Sequence, residues 1–107
     1  MQDDVMFSER DKTLTARLLC EIDHHTARRM REKIDSALFL RKPLSLVIDF
    51  SGVSFMDSSG IGLILGRVET ASALGMGVRL VGLSPTLMKL VRLAGLERVK
   101  NLTIGIV

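Results

Sequence analysis

The sequence predicts an α/β fold, one domain in which a mostly parallel or mixed central sheet of about four to five strands is covered by helices. Three observations predict it. Strand-like and helix-like segments alternate after an initial pair of strands. The stretch Leu44-Ser45-Leu46-Val47-Ile48-Asp49-Phe50 is nearly continuous in apolar residues, as expected of a central strand covered on both faces. The chain's 107 residues, 47% hydrophobic and 25% charged, suit one core and leave no room for a second domain, so residues 1–107 are read as a single unit.

The elements follow in order. Val5 to Glu9 and Thr13 to Ile22 read as a hairpin around the polar turn Arg10-Asp11-Lys12, with Leu14, Ala16 and Leu18 alternating against Thr13, Thr15 and Arg17. A helical period starts at Thr26: Ala27, Met30, Ile34, Ala37 and Leu38 share one face, Arg28, Arg31, Glu32 and Asp35 lie largely opposite, and Pro43 closes it. After the central strand, a second helix is expected from about Ser58 to Leu74, stopped by Gly75-Met76-Gly77. Val78 to Gly82 supplies another strand. Ser84-Pro85 pairs a capping hydroxyl with a ring that pre-sets the first helical dihedral, so a third helix starts there, with Leu87, Leu90, Val91 and Ala94 inward and Gly95 as its stop. A short strand is expected around Val99 to Leu102.

Composition excludes several classes. Four Phe, no Trp and no Tyr argue against nucleobase stacking. The net charge of +3 is spread among interleaved acidic and basic residues, which reads as a solvated surface rather than a nucleic-acid stripe; the cluster Arg28, Arg29 and Arg31 reads the same way, with an acidic partner as the alternative. The single Cys20 has no partner for an internal disulfide and sits in an apolar stretch as an inert thiol. Met1-Gln2-Asp3-Asp4 lacks the basic start of a signal peptide and no segment has membrane-spanning length, so a cytoplasmic location is expected, with neither membrane nor nucleic acid as a direct partner. His24 and His25 are adjacent, a poor arrangement for one ion, and no carboxylate or Cys completes a site; neither metal nor cofactor is expected.

Chemistry concentrates at Asp57-Ser58-Ser59-Gly60, where a strand passes through a loop into a helix. Hydroxyls there meet unpaired backbone N–H groups, and simple capping accounts for them as well as any further role does. The helix that follows has an unusual outer stripe. If Ile61, Ile64, Leu65, Val68 and Ala71 face the sheet, then Ser59, Gly62, Leu63, Gly66, Arg67 and Thr70 point outward. Glycine in an exposed helix interior costs about 1 kcal/mol relative to alanine. Gly62 and Gly66 therefore call for a compensating close approach, either by a docked partner or by another element of the same domain.

Ser54 to Arg67, and with them Asp57-Ser58-Ser59-Gly60-Ile61-Gly62, resemble the signature of the sporulation anti-sigma-factor antagonists. Cys20-Glu21-Ile22-Asp23-His24-His25-Thr26-Ala27 resembles a second family block, and Ser84-Pro85 with Gly95-Leu96 a third, so the resemblance spans nearly the whole chain. It implies a STAS-type fold and no enzymatic activity of the chain's own. It also implies a role as an anti-anti-sigma factor: the unphosphorylated form binds an anti-sigma factor serine kinase in its nucleotide-bound state and releases the sigma factor to activate transcription. Phosphorylation of Ser58 by that kinase ends the interaction, and a serine phosphatase resets it. The partner-facing residues implied are Asp23, His24, Thr26, Asp57, Ser59, Gly62, Leu63, Gly66 and Arg67. Asp23 and Thr26 read equally as helix caps, and Ser59 as a cap or contact. Family members carry a further helix after the last strand, whereas Asn101 to Val107 hold none, which exposes Ile104, Ile106 and Val107 to self-association.

Three rivals are weaker. A hydrolase triad from Ser58, His24 or His25, and Asp57 lacks the Gly-x-Ser-x-Gly elbow. Gly60-Ile61-Gly62-Leu63-Ile64-Leu65-Gly66 is one residue longer than the dinucleotide fingerprint, and no Gly-Lys-Ser/Thr phosphate loop is present. A STAS-domain regulator of a stress-response or other partner-switching pathway fits the fold, but the Asp-His-His-Thr block favours the sporulation type.

Overall fold

Val5–Arg10 (β1) and Thr13–Leu18 (β2) pair antiparallel, with Arg10 opposite Thr13, so only Asp11 and Lys12 form the turn. Both turn residues have positive φ, 52° and 65°, the twist that a two-residue hairpin loop demands. The computed structural model describes residues 3–105, and among them the remaining elements are α1 (His24–Arg41), β3 (Ser45–Asp49), α2 (Ser58–Ala73), β4 (Gly77–Val81), α3 (Pro85–Leu93), a 3-10 turn (Leu96–Arg98) and β5 (Leu102–Ile104). The strands lie in sequence order, β1-β2-β3-β4-β5, and every pair after the hairpin is parallel, giving a mixed five-stranded sheet.

Parallel register aligns the core. Leu14, Leu46 and Val78 form one row across the sheet, and Ala16, Ile48 and Leu80 the next, all of them buried. Met30, Ile34 and Leu38 of α1, with Ile64, Val68 and Ala71 of α2, complete the same cluster. Full burial of a Leu or Ile side chain contributes about 1.5–3 kcal/mol, so this shared cluster supplies a large part of the driving force for folding.

The opposite rows hold no buried residue: Thr13, Ser45 and Gly77, then Thr15, Val47, Arg79 and Thr103. This corrects the reading of the central strand. β3 alternates, with Leu46 and Ile48 buried while Ser45, Val47 and Asp49 are half-buried, because the buried core lies on one face of the sheet only. Two further boundaries differ. β2 ends at Leu18 rather than Ile22, and the last strand is Leu102–Ile104 rather than Val99 to Leu102, because the turn Leu96–Arg98 takes up the intervening chain. Ile104 is half-buried against the core rather than exposed; Ile106 and Val107 lie outside the described residues.

Beyond β2, Ile22 makes an isolated parallel bridge with Met56: Ile22 N–H donates to Phe55 O at 3.0 Å, and Asp57 N–H donates to Ile22 O at 3.1 Å. That bridge sets the starts of α1 and α2 side by side.

Candidate functional site

Both helices that leave the bridge begin with an aspartate cap. Asp23 Oδ1 accepts from the N–H groups of His25 and Thr26, each at 2.9 Å, while Thr26 Oγ1 accepts from Asp23 N–H at 2.9 Å and donates to Glu21 O at 2.8 Å. This reciprocal box starts α1 at His24, two residues before the start at Thr26 that the apolar period suggests. Hydrogen bonding from the Thr26 backbone holds the Asp23 carboxyl below the usual carboxylate range. Asp57 caps α2, its Oδ1 accepting from Ser59 N–H at 2.7 Å. Asp23 Oδ1, Thr26 Oγ1 and Asp57 Oδ1 thus each hold backbone.

Ser58 is the first residue of α2 and is exposed. Its neighbour Ser59 lines a groove of about 520 Å³ between α1 and α2, together with His24, Gly62, Leu63, Gly66 and Arg67 from the predicted set. The rest of the lining, Ala27, Arg28 and Arg31, comes from the facing side of α1. The structure therefore gathers six of the predicted residues in one groove, with the caps at its head and Ser58 one residue from its edge.

The rotation of α2 differs from its apolar period. The apolar period predicts Leu63 and Arg67 outward and Leu65 inward, yet Leu63 and Arg67 are each only 4% exposed and Leu65 is 40% exposed. The reason is that α2 packs on two sides, against the sheet and against α1, so its buried arc is wider than a single stripe. Arg67 fits inside that arc because its Nε lies 2.7 Å from Asp35 Oδ1 of α1. The pair is a close ionic contact rather than an aligned hydrogen bond: among the described residues Arg67 Nε and Nη1 and Asp35 Oδ1 have no partner of hydrogen-bond geometry. Burial pushes the Arg67 guanidinium below its usual value, and Asp35 opposes that shift.

The glycines separate cleanly. A Cβ at Gly60 would meet Met56 Sδ at 2.5 Å, so Gly60 is needed for packing under the cap. At Gly62 and Gly66 a Cβ would meet nothing within 4 Å among the described residues. Among the described residues no other element of the domain comes that close to them, which argues against the internal explanation for both.

The sequence assigns Arg28, Arg31 and Asp35 to a solvated helix face, whereas the structure sets Arg28 and Arg31 on the groove and pairs Asp35 with Arg67. The spacing His24, Arg28, Arg31, Asp35 repeats at four, three and four residues and marks one side of a helix, a signal that charge alone obscured. Among the described residues no group of three or more His, Cys, Asp and Glu side chains converges as a metal site, and no helix is long and apolar enough to cross a membrane.

Residues 4–104 match the STAS domain. An anti-sigma F factor antagonist from Lysinibacillus sphaericus is 39% identical over 79% of this chain and 73% of its own length. The chain belongs to the STAS domain family, among its anti-sigma factor antagonists. Within this STAS family the solved structure of the anti-sigma factor antagonist SpoIIAA in its unphosphorylated form superposes with a TM-score of 0.72 at 30% identity, covering 96% of this chain and 88% of SpoIIAA. The Bacillus cell fate determinant SpoIIAA in its phosphorylated form superposes with a TM-score of 0.71 at 32% identity, covering 95% and 91%. The STAS framework thus includes a relative known in both phosphorylation states.

Proposed function

We propose that this chain is an anti-anti-sigma factor whose unphosphorylated form docks on an anti-sigma factor serine kinase through the α1–α2 groove and the first turn of α2, releasing the sigma factor. Ser58 is the phosphoacceptor, the kinase in its nucleotide-bound state transfers to it the γ-phosphoryl group of ATP and releases ADP, and a serine phosphatase restores the active form. The observation that carries this reading is the placement of Ser58: exposed on the first turn of α2, beside a groove whose Gly62 and Gly66 leave room for another chain. The two SpoIIAA forms support it by similarity.

The physics of the switch is local. A phosphate on Ser58 adds roughly −1.5 to −2 charges at neutral pH. The N-terminal end of α2 stabilises that charge, so the fold survives it. An interface that must strip water from the same group is penalised by it. Asp57 beside it adds to the repulsion felt by a docked surface.

The test is incubation with the cognate anti-sigma kinase and ATP, followed by mass spectrometry. One phosphate on Ser58, absent in Ser58→Ala, is expected; labelling that persists in Ser58→Ala removes the assignment. Ser58→Asp is expected to lose kinase binding with a native circular dichroism spectrum.

A further inference from the structure

Arg67 is the least solvated cation facing the groove, its side chain 5% exposed, and its Nη1 is buried without a hydrogen-bond partner among the described residues. A guanidinium offers five donors in a rigid fork suited to a carboxylate, and Asp35 engages this one only through the Nε contact. Across the groove stand Arg28 and Arg31, with His24 at the head. Arg28 lies 3.6 Å from Glu32 in an exposed pair, a weak attachment in water. Arg31 stands near enough to Arg67 for its charge to disfavour that of Arg67.

Gly62 and Gly66 line the same groove and carry no side chain into it, so the space is open to an incoming side chain. An apolar side chain entering there would strip water from guanidinium groups without replacing its hydrogen bonds, which is unfavourable. A carboxylate would instead offer acceptors and opposite charge to the edge of the Arg67 guanidinium that lines the groove and to the exposed Arg28 and Arg31.

We infer that the α1–α2 groove receives the carboxylate of an Asp or Glu side chain on the docking face of the anti-sigma partner, with Arg67 and Arg31 as its counter-charges. The inference rests on the partner-binding reading above and deepens it. It also gives the Ser58 phosphate a specific opponent, because Ser58 adjoins Ser59 at the groove and a phosphate there repels an incoming carboxylate.

The experiment is titration calorimetry of the full chain against the purified anti-sigma partner. Arg31→Glu, on an exposed position, is expected to weaken binding roughly ten- to a hundredfold with a melting temperature no lower than that of the wild type, since it removes a charge that disfavours Arg67. Arg67→Lys keeps the charge but not the fork and is expected to weaken it roughly tenfold. Reversing one acidic residue of the partner to Lys is expected to restore affinity to Arg31→Glu. If the wild type binds and both variants stay within about twofold of it, the groove inference falls while the proposed function stands. If no partner charge reversal rescues Arg31→Glu, the inference falls as well. ATP that competes with the partner through Arg31 would assign the groove to a nucleotide and overturn it. A wild type that binds no anti-sigma factor overturns the proposed function and takes the groove inference with it.

Discussion

Arg67 Nε and Asp35 Oδ1 meet at 2.7 Å across the α1–α2 interface, a charged pair set between the core and the groove. Asp35 retains 28% exposure while Arg67 retains 5%, so water screens the carboxylate more than the guanidinium. Removing one member of such a pair leaves the other uncompensated, and the loss falls mainly on whichever side is drier.

Asp35→Asn is therefore expected to destabilise the fold by about 3 kcal/mol, the low end for a buried pair because of the partial screening. Arg67→Met should cost less than Asp35→Asn, since the carboxylate left behind reaches water. The double variant should recover most of the loss. Urea unfolding of the two single variants and the double variant measures the cycle, and additive losses would show that the pair is not coupled.

Gly62→Ala and Gly66→Ala each meet open space, so each is expected to stabilise α2 by up to about 1 kcal/mol. Gly60→Ala runs the other way, because its Cβ would press on Met56 Sδ, and a loss of about 1 kcal/mol is expected. Thermal unfolding separates them by sign. Gly62→Leu should leave the melting temperature near that of Gly62→Ala yet weaken the proposed complex with the anti-sigma factor.

Acidification should loosen the N-terminal edge. Hydrogen bonding from Arg29, whose Nε lies 2.6 Å from Asp4 Oδ2, holds the Asp4 carboxyl below the usual carboxylate range, and Asp23 is lowered by its cap contacts. Because both folded values lie below the unfolded value of about 3.9, their stabilisation is complete above that pH and is lost as pH falls through the folded values. The melting temperature is expected to drop below about pH 4, and the drop should be shallower in Asp4→Asn. An identical profile in the variant would exclude Asp4 as a contributor.

Ser58→Asp should leave the stability of the isolated chain within about 1 kcal/mol of wild type, since a negative charge on the first turn of a helix is favoured while Asp57 nearby opposes it. Chemical denaturation checks this, and a large loss would mean that a phosphate there melts the turn.

The starts of α2 and α3 were legible because they are written in local chemistry, whereas α1 begins at His24, two residues before its apolar period does. Asp57 before Ser58, Ser84 before Pro85 and Gly95 after α3 each act on their own backbone, and α2 runs from Ser58 to Ala73 as its caps require. What a residue faces was less legible, because it depends on elements distant in sequence. Leu63 and Arg67 turn inward on account of α1, and Val47 is only half-buried because the core rows lie on the other face of the sheet. The site divided along the same line. Ser58 and the caps could be placed from local sequence, whereas the opposing wall of Arg28 and Arg31 required two helices to be seen together.

The bridge between Ile22 and Met56 bears on how a modification at Ser58 is felt. With both loops fastened backbone to backbone, the first turns of α1 and α2 have little freedom to splay and so relieve an added charge. Under the proposed phosphorylation of Ser58 the domain would behave as a fixed plate whose sign at one spot is rewritten, rather than as a hinge that opens and shuts. Discrimination between the two forms would appear in how fast a partner arrives and leaves, with the resting shape of the chain the same in both.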